Sequence, residues 1–219
     1  MGWAVMTVIP RPASTVVLID HMSRVYLTKR PATMKFLAGF YVFPGGALEE
    51  GDYVVDPAYI THSISNEPFN SAHYIAAVRE IFEEVGVLFG SQGDGFPIQF
   101  QKETEQEYRR LLVNRDISFA QLLEQENIRL HLDCLRYFGH RITPKESAYR
   151  FDTRFFLAEL PEGQIPKPDL NEIDKAFWIA PEEALLSYQN GNMLLAPPTV
   201  TALQTVINYQ KGGALLMPR

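Results

Sequence analysis

Apolar positions along the chain change period several times, and each change marks an element. The β-branched runs at 5–9 (VMTVI) and 15–19 (TVVLI) flank the breaker Pro10-Arg11-Pro12 and predict early strands or one interrupted strand. Residues 24–28 (RVYLT) predict the next strand after a short polar turn, and 40–43 lead straight into a glycine turn. From Tyr74 the period becomes helical. Tyr74, Ile75, Val78, Ile81, Phe82 and Val85 make one apolar stripe, and Gly86 stands where a left-handed cap ends a helix. Further helices are predicted over 103–113 and 118–126, the second with Ser118 as N-cap. Strand character returns at 129–138, 150–160 and 173–179. Helices from Pro181 and over 197–209 close the chain. The stretch 90–95 (GSQGDG) reads as a flexible loop, and no repeat, low-complexity tract or linker divides residues 1–219, so one domain is expected.

The helix after residue 70 carries chemistry on its other side. Glu80, Glu83 and Glu84 fall within one sector, because positions i, i+3 and i+4 share a helix face. Arg79 adjoins them and can orient one member. Two readings fit three clustered carboxylates: a solvated acidic face, or a site for a hard divalent cation that prefers oxygen ligands. Upstream, Phe43-Pro44-Gly45-Gly46 forms a turn whose backbone can approach a ligand closely, since two of its residues lack side chains.

These residues together resemble a Nudix box. Gly46, five residues, Asp52, then Arg79-Glu80-Ile81-Phe82-Glu83-Glu84-Val85-Gly86-Val87 follow the family pattern of Gly, five residues, Glu, seven residues and Arg-Glu-apolar-x-Glu-Glu-x-Gly-apolar. Asp52 replaces the family Glu, and 26 residues separate it from Arg79, so the box is split by an insertion within about 53–70. A second resemblance covers 27–46. Leu27-Thr28-Lys29-Arg30, Lys35, Gly39 and Phe43-Pro44-Gly45-Gly46 keep the spacing of the motif found in Nudix enzymes that cleave coenzyme A. Tyr26, Pro31 and Lys35 replace its first Leu, its small residue and its second Arg. Lys35 keeps charge but loses the bidentate geometry of a guanidinium. The run 149–156 (YRFDTRFF) puts Arg150, Asp152 and Arg154 on one strand face, which suggests a cleft, and it is similar to the peroxisomal branch of coenzyme A diphosphatases.

The resemblance implies an α/β (α+β) Nudix fold: a mixed sheet sandwiched between helices, with a helical insertion over about 91–127. It also implies Mg2+ or Mn2+ held by Glu83, Glu84, Glu80 and the carbonyl of Gly46. Glu80 would be ligand or general base, oriented by Arg79, with Glu83 also in the catalytic set. Arg30, Lys35, Gly39, Gly45, Arg150 and Arg154 would bind substrate. Asp52 and Glu146 are further candidates, with a solvated loop residue as the alternative for Glu146. The expected reaction is hydrolysis of the diphosphate of coenzyme A or acyl-coenzyme A. Another nucleoside diphosphate derivative (ADP-ribose, a dinucleotide polyphosphate) and a non-catalytic nucleotide sensor remain open.

Composition narrows the partners. Net charge of −6 does not suit a reader of nucleic-acid backbones, and no apolar run is long enough to span a membrane. The lone Cys134 excludes an internal disulfide and is expected as a buried, reduced thiol in a cytoplasmic compartment. The N-terminus has no basic-then-apolar leader pattern. His62 and His73 read as surface or packing histidines, Glu172 and Glu183 as surface acids, and the helical insertion as a lid or a homodimer contact.

Overall fold

A computed structural model describes residues 8–61, 69–93 and 95–218. In chain order its elements are β1 (Arg11–Ile19), β2 (Val25–Lys29), β3 (Tyr41–Val42), β4 (Gly45–Ala47), α1 (Ala72–Val85), β5 (Gly90–Gln92), β6 (Phe96–Pro97), α2 (Lys102–Val113), α3 (Phe119–Gln125), β7 (Ile128–Leu130), β8 (Arg136–Ile142), β9 (Phe151–Glu159), β10 (Lys175–Ile179), α4 (Pro181–Gln189) and α5 (Pro197–Gln210). The principal sheet is mixed, in the order β10-β2-β1-β9-β8, with β3 added to β2 and β4 to β1. β1 and β9 run parallel from Arg11↔Phe151 to Ile19↔Glu159. β1 meets β2 only at Ile19↔Val25. Beyond that point the two strands part, and β3 and β4 fill the wedge, which places Gly45 and Gly46 against Thr15 and Ser14.

Alternation along the central strands makes two cores. Val16, Leu18, Tyr26 and Phe156 face α1 and pack on Ile75, Val78, Ile81, Phe82 and Val85. Val17, Val25, Leu27, Phe155 and Leu157 face the other way, onto Ala202, Leu203 and Val206 of α5. The predicted apolar stripe of α1 is therefore its buried face, and Gly86 does cap it with φ 71° and its N–H on the Phe82 carbonyl.

Four expectations are corrected. The early apolar runs give one strand that starts at Arg11 and passes through Pro12, whose carbonyl accepts from the Leu48 N–H at 3.0 Å. Val8 and Ile9 precede it and are 43% and 85% exposed, while residues 5–7 lie outside the described residues. The expected loop at 90–95 instead begins as β5 (Gly90–Gln92), which pairs with β6 and β7 in a small separate sheet. The expected strand 129–138 is broken between the two sheets by a tight 3-10 turn at Leu132–Cys134. Cys134, in that turn, is exposed rather than buried.

The split in the box holds short 3-10 turns at Glu50–Tyr53 and Pro57–Tyr59, and His62 lies outside the described residues. The insertion helices form as predicted, and Ser118 caps α3 in a reciprocal arrangement with Gln121. Among the described residues no helix is long and apolar enough to cross a membrane.

Candidate active site

The site is assembled from α1 and the turn that fills the wedge between β1 and β2. Arg79, with a side chain only 4% exposed, is its hub. Its Nε and Nη2 donate to the two carboxylate oxygens of Asp52 at 2.9 and 3.0 Å. Its Nη1 donates to Glu80 Oε1 at 3.0 Å and Glu83 Oε2 at 3.1 Å, and Nη2 also reaches the Ala47 carbonyl at 3.0 Å. Asp52 is itself buried and accepts from the Glu49 N–H at 2.8 Å. The residue at the first acidic position of the split box thus fixes the arginine through a bidentate pair, the strongest neutralising geometry available to two side chains. The 26 residues between them in sequence do not keep Asp52 and Arg79 from meeting directly.

The two glycines do different work. A Cβ on Gly46 would lie 2.4–2.5 Å from the Glu80 carboxylate, so the missing side chain is what lets that carboxylate press on the turn. Gly45 donates its N–H to Glu84 Oε2 at 3.2 Å, and a Cβ there would meet the Ser14 carbonyl at 2.2 Å.

Burial dominates the electrostatics. It pushes the Glu80 carboxyl up to about 7 and Glu83 up to about 8, with Arg79 opposing in both cases. Glu84 is pushed well above the usual carboxylate range by burial and by the charges of Glu80 and Glu172. Burial also opposes the charge of Arg79, but the hydrogen bond to Asp52 and the charges of Glu80, Glu83 and Asp52 outweigh it and raise its pKa. One guanidinium faces four carboxylates here if Glu84 is counted, so fully ionised the group is short of positive charge. Among the described residues no three acidic or histidine side chains are arranged as a ready metal cage, because Glu80 and Glu83 are turned onto Arg79. The donor set nevertheless fits a hard divalent cation: oxygen ligands, excess negative charge and partial desolvation. Glu80, Glu83 and Glu84 are the residues that would hold such an ion.

The other predicted residues are distributed as follows. Arg30 is half-buried; its guanidinium donates to the Phe36 carbonyl at 3.0 Å, and its charge partly opposes the upward shifts that burial and neighbouring carboxylates impose on Glu84 and Glu172. Lys35 is exposed on the same loop, which Leu37 and Gly39 turn with φ of 53° and 75°. Arg150 is buried and its guanidinium is taken by the Thr143 and Val8 carbonyls, so it braces the β8–β9 connection. Arg154 pairs with Asp152 and lies over the Phe69 ring, beside the N-terminal turn of α1. Glu146 is exposed in a turn. His73 is buried and packs by its ring against Phe69, with Ser14 bonded to its carbonyl at 2.7 Å.

Sequence reasoning missed two contributors. Glu172 is half-buried and close enough to Glu84 to raise it, where a surface acid was expected. Arg109 on α2 donates to the Glu83 and Glu84 carbonyls, both at 2.9 Å. Neither has a local signal; only the register of α2, where Glu105, Arg109 and Leu112 share the buried face, hints at the second. Leu112, Arg115 and Phe119 of the insertion also wall a cavity of about 530 Å3 that reaches Arg79 and Glu83.

A profile of the NUDT19 Nudix domain matches residues 60–206, about two-thirds of the chain. The chain belongs to the Nudix family, in its NUDT19 branch. This Nudix chain is 30% identical over 193 residues to a Caenorhabditis elegans protein carrying a nudix hydrolase name, covering 87% of this chain and 58% of that one. It is 26% identical to the acyl-coenzyme A diphosphatase NUDT19 of Homo sapiens, covering 85% and 61% respectively. The chain therefore spans about three-fifths of the length of the curated relatives it matches. Among solved structures, a NUDIX hydrolase from Alicyclobacillus acidocaldarius superposes with a TM-score of 0.84 at 27% identity, covering 98% of this chain and 100% of that one. The mixed sheet between helices is a Nudix fold.

Proposed function

We propose that this chain is a divalent-metal-dependent pyrophosphohydrolase that cleaves the diphosphate of coenzyme A or acyl-coenzyme A to 3′,5′-ADP and 4′-phosphopantetheine or its acyl form. One observation carries the proposal: Glu80, Glu83 and Glu84 gathered around Gly45-Gly46, with Arg79 locked by Asp52 behind them. The name of the human relative, acyl-coenzyme A diphosphatase, and the spacing of the 27–46 motif support the substrate class.

Mg2+ or Mn2+, when bound, would neutralise phosphate charge and generate a hydroxide from water at neutral pH. The chain's own residues do the rest. Arg79 keeps Glu80 and Glu83 from separating, and Asp52 keeps Arg79 from following a phosphate out of the site. Glu84 is aimed by the Gly45 N–H. Glu80 or Glu83 receives the proton from the attacking water; both have affinities raised toward neutrality, which suits a general base. Arg30 and Lys35, which precede the glycine turn in the chain, would supply the cationic partners for the substrate's phosphates.

The test is turnover of coenzyme A, 3′-dephospho-coenzyme A, ADP-ribose and diadenosine polyphosphates with Mg2+ or Mn2+, using Glu83→Gln as control. Release of 3′,5′-ADP that is lost in Glu83→Gln supports the proposal. Lys35→Ala and Arg30→Ala should then slow coenzyme A more than its 3′-dephospho form. Activity confined to ADP-ribose or the polyphosphates would keep the hydrolase and discard the coenzyme A assignment. No turnover at all would favour a nucleotide sensor.

A further inference from the structure

We infer that Arg109, on the inserted helix α2, is a positioning residue that sets Glu83 and Glu84 through their backbone. The inference rests on the metal-dependent reading of the site above. A helix leaves its last carbonyls without internal partners, and in α1 two of those carbonyls belong to Glu83 and Glu84. One guanidinium spans two of them: Arg109 Nε to the Glu83 carbonyl and Nη2 to the Glu84 carbonyl, each at 2.9 Å. The neighbouring loop completes the set, with the Asp169 N–H on Glu84 at 2.8 Å and the Lys167 N–H on Val85 at 2.7 Å. Arg109 touches neither carboxylate in these bonds.

Its surroundings indicate more than a convenient cap. Arg109 is 7% exposed, and burying a guanidinium is costly where water could have solvated the carbonyls instead. Glu105, one turn earlier and 6% exposed, stands 3.7 Å from Arg109 Nη1, while its other oxygen pairs with Lys167. Among the described residues Glu105 Oε1 has no hydrogen-bond partner. It lies 2.6 Å from where a Cβ on Gly86 would be, so the missing side chain at the helix cap is what admits it. The buried Glu105 and Arg109, with the exposed Lys167 on the outer side of Glu105, thus tie the insertion to the last turn of the acidic helix. The insertion here is part of the site's scaffold as well as a wall of its cavity.

The experiment is Mn2+ titration of Arg109→Lys and Arg109→Gln, read by the paramagnetic signal of free Mn2+, together with amide hydrogen exchange over residues 83–87. Support around a ligand typically contributes 10–100-fold to metal affinity, so Arg109→Gln is expected to bind Mn2+ about 10–100-fold more weakly. Exchange in the last turn of α1 should quicken in parallel. A lysine ammonium cannot span both carbonyls, so Arg109→Lys is expected to show a smaller loss in the same direction. Tyr108→Phe, which removes only the bond to Glu126 from the same helix, should bind Mn2+ as wild type does. Wild-type Mn2+ affinity and exchange in Arg109→Lys overturns the inference, even if Arg109→Gln does not fold. A wild-type protein that binds no Mn2+ would instead overturn the metal reading, while the exchange measurement would still report on the clamp.

Discussion

Asp52 and Arg79 show how a single pair sets a reactive site. The pair is almost fully buried, and the arginine uses its remaining N–H groups on Glu80, Glu83 and a carbonyl. Asp52→Asn removes the charge that anchors it. Breaking a buried pair costs about 3–5 kcal/mol, and the lower end is expected because Glu80 and Glu83 remain as partners. Urea unfolding would measure it, and an undiminished midpoint would show that Asp52 is dispensable. His73 supplies a pH signature of opposite sign to that of Glu80, Glu83 and Glu84. Burial lowers its pKa from 6.5, and Arg154 adds to the effect, while Asp152 and Asp52 oppose it. The neutral ring is therefore the folded form's preference. That contribution is complete above about pH 6.5 and is lost as pH falls through the lowered folded value. The raised Glu80, Glu83 and Glu84 carboxyls act oppositely and favour the folded form as pH falls, so on going from about pH 7 to 5 His73→Gln should gain more melting temperature than wild type; identical curves would remove His73 as a source.

At the scale of elements, two adjacent glycines in β4 should respond oppositely to the same substitution. In Gly45→Ala the new Cβ meets backbone, Ser14 O at 2.2 Å and Thr15 Cα at 2.7 Å, at a φ of 150°. A strained residue of this kind costs about 1–3 kcal/mol before the clash with β1 is counted, so poor folding is expected. In Gly46→Ala the atoms nearest the Cβ belong to the Glu80 carboxylate, a side-chain end rather than backbone, which must turn away from Arg79 to make room. Gly46→Ala should keep a melting temperature near wild type and lose activity by 10-fold or more, since a carboxylate displaced by an ångström is misplaced for catalysis. Loss of folding in Gly46→Ala with activity per folded molecule retained would contradict this. Helix α1 was legible in the chain because its period, its apolar stripe and its glycine cap all agree. The small sheet of β5, β6 and β7 was not, because its strands are two or three residues long and are held by pairing, not by a period.

For the whole molecule, the central strands serve two cores at once. Val16 and Leu18 face α1, while Val17 between them faces α5. Neither side can lose its packing without exposing the other face of β1 and β9. Unfolding is therefore expected as one transition. Trp178, packed against the α1-side core, should report the same midpoint by fluorescence as far-UV circular dichroism reports for the helices. Two separated midpoints would show that residues 8–218 hold more than one folding unit.

What the sequence determined by itself was the local chemistry: which helix carries three carboxylates on one face, where it stops, and which turn lacks side chains. Those features depend on spacing within a few residues, so they survive without tertiary information. The part played by Asp52, the inward engagement of Arg150, the approach of Glu172 to Glu84 and the grip of Arg109 on the Glu83 and Glu84 carbonyls were decided only in the folded chain. Each joins segments far apart in sequence, and a charged side chain states its own sign but not which distant carbonyl or carboxylate the fold will bring to it.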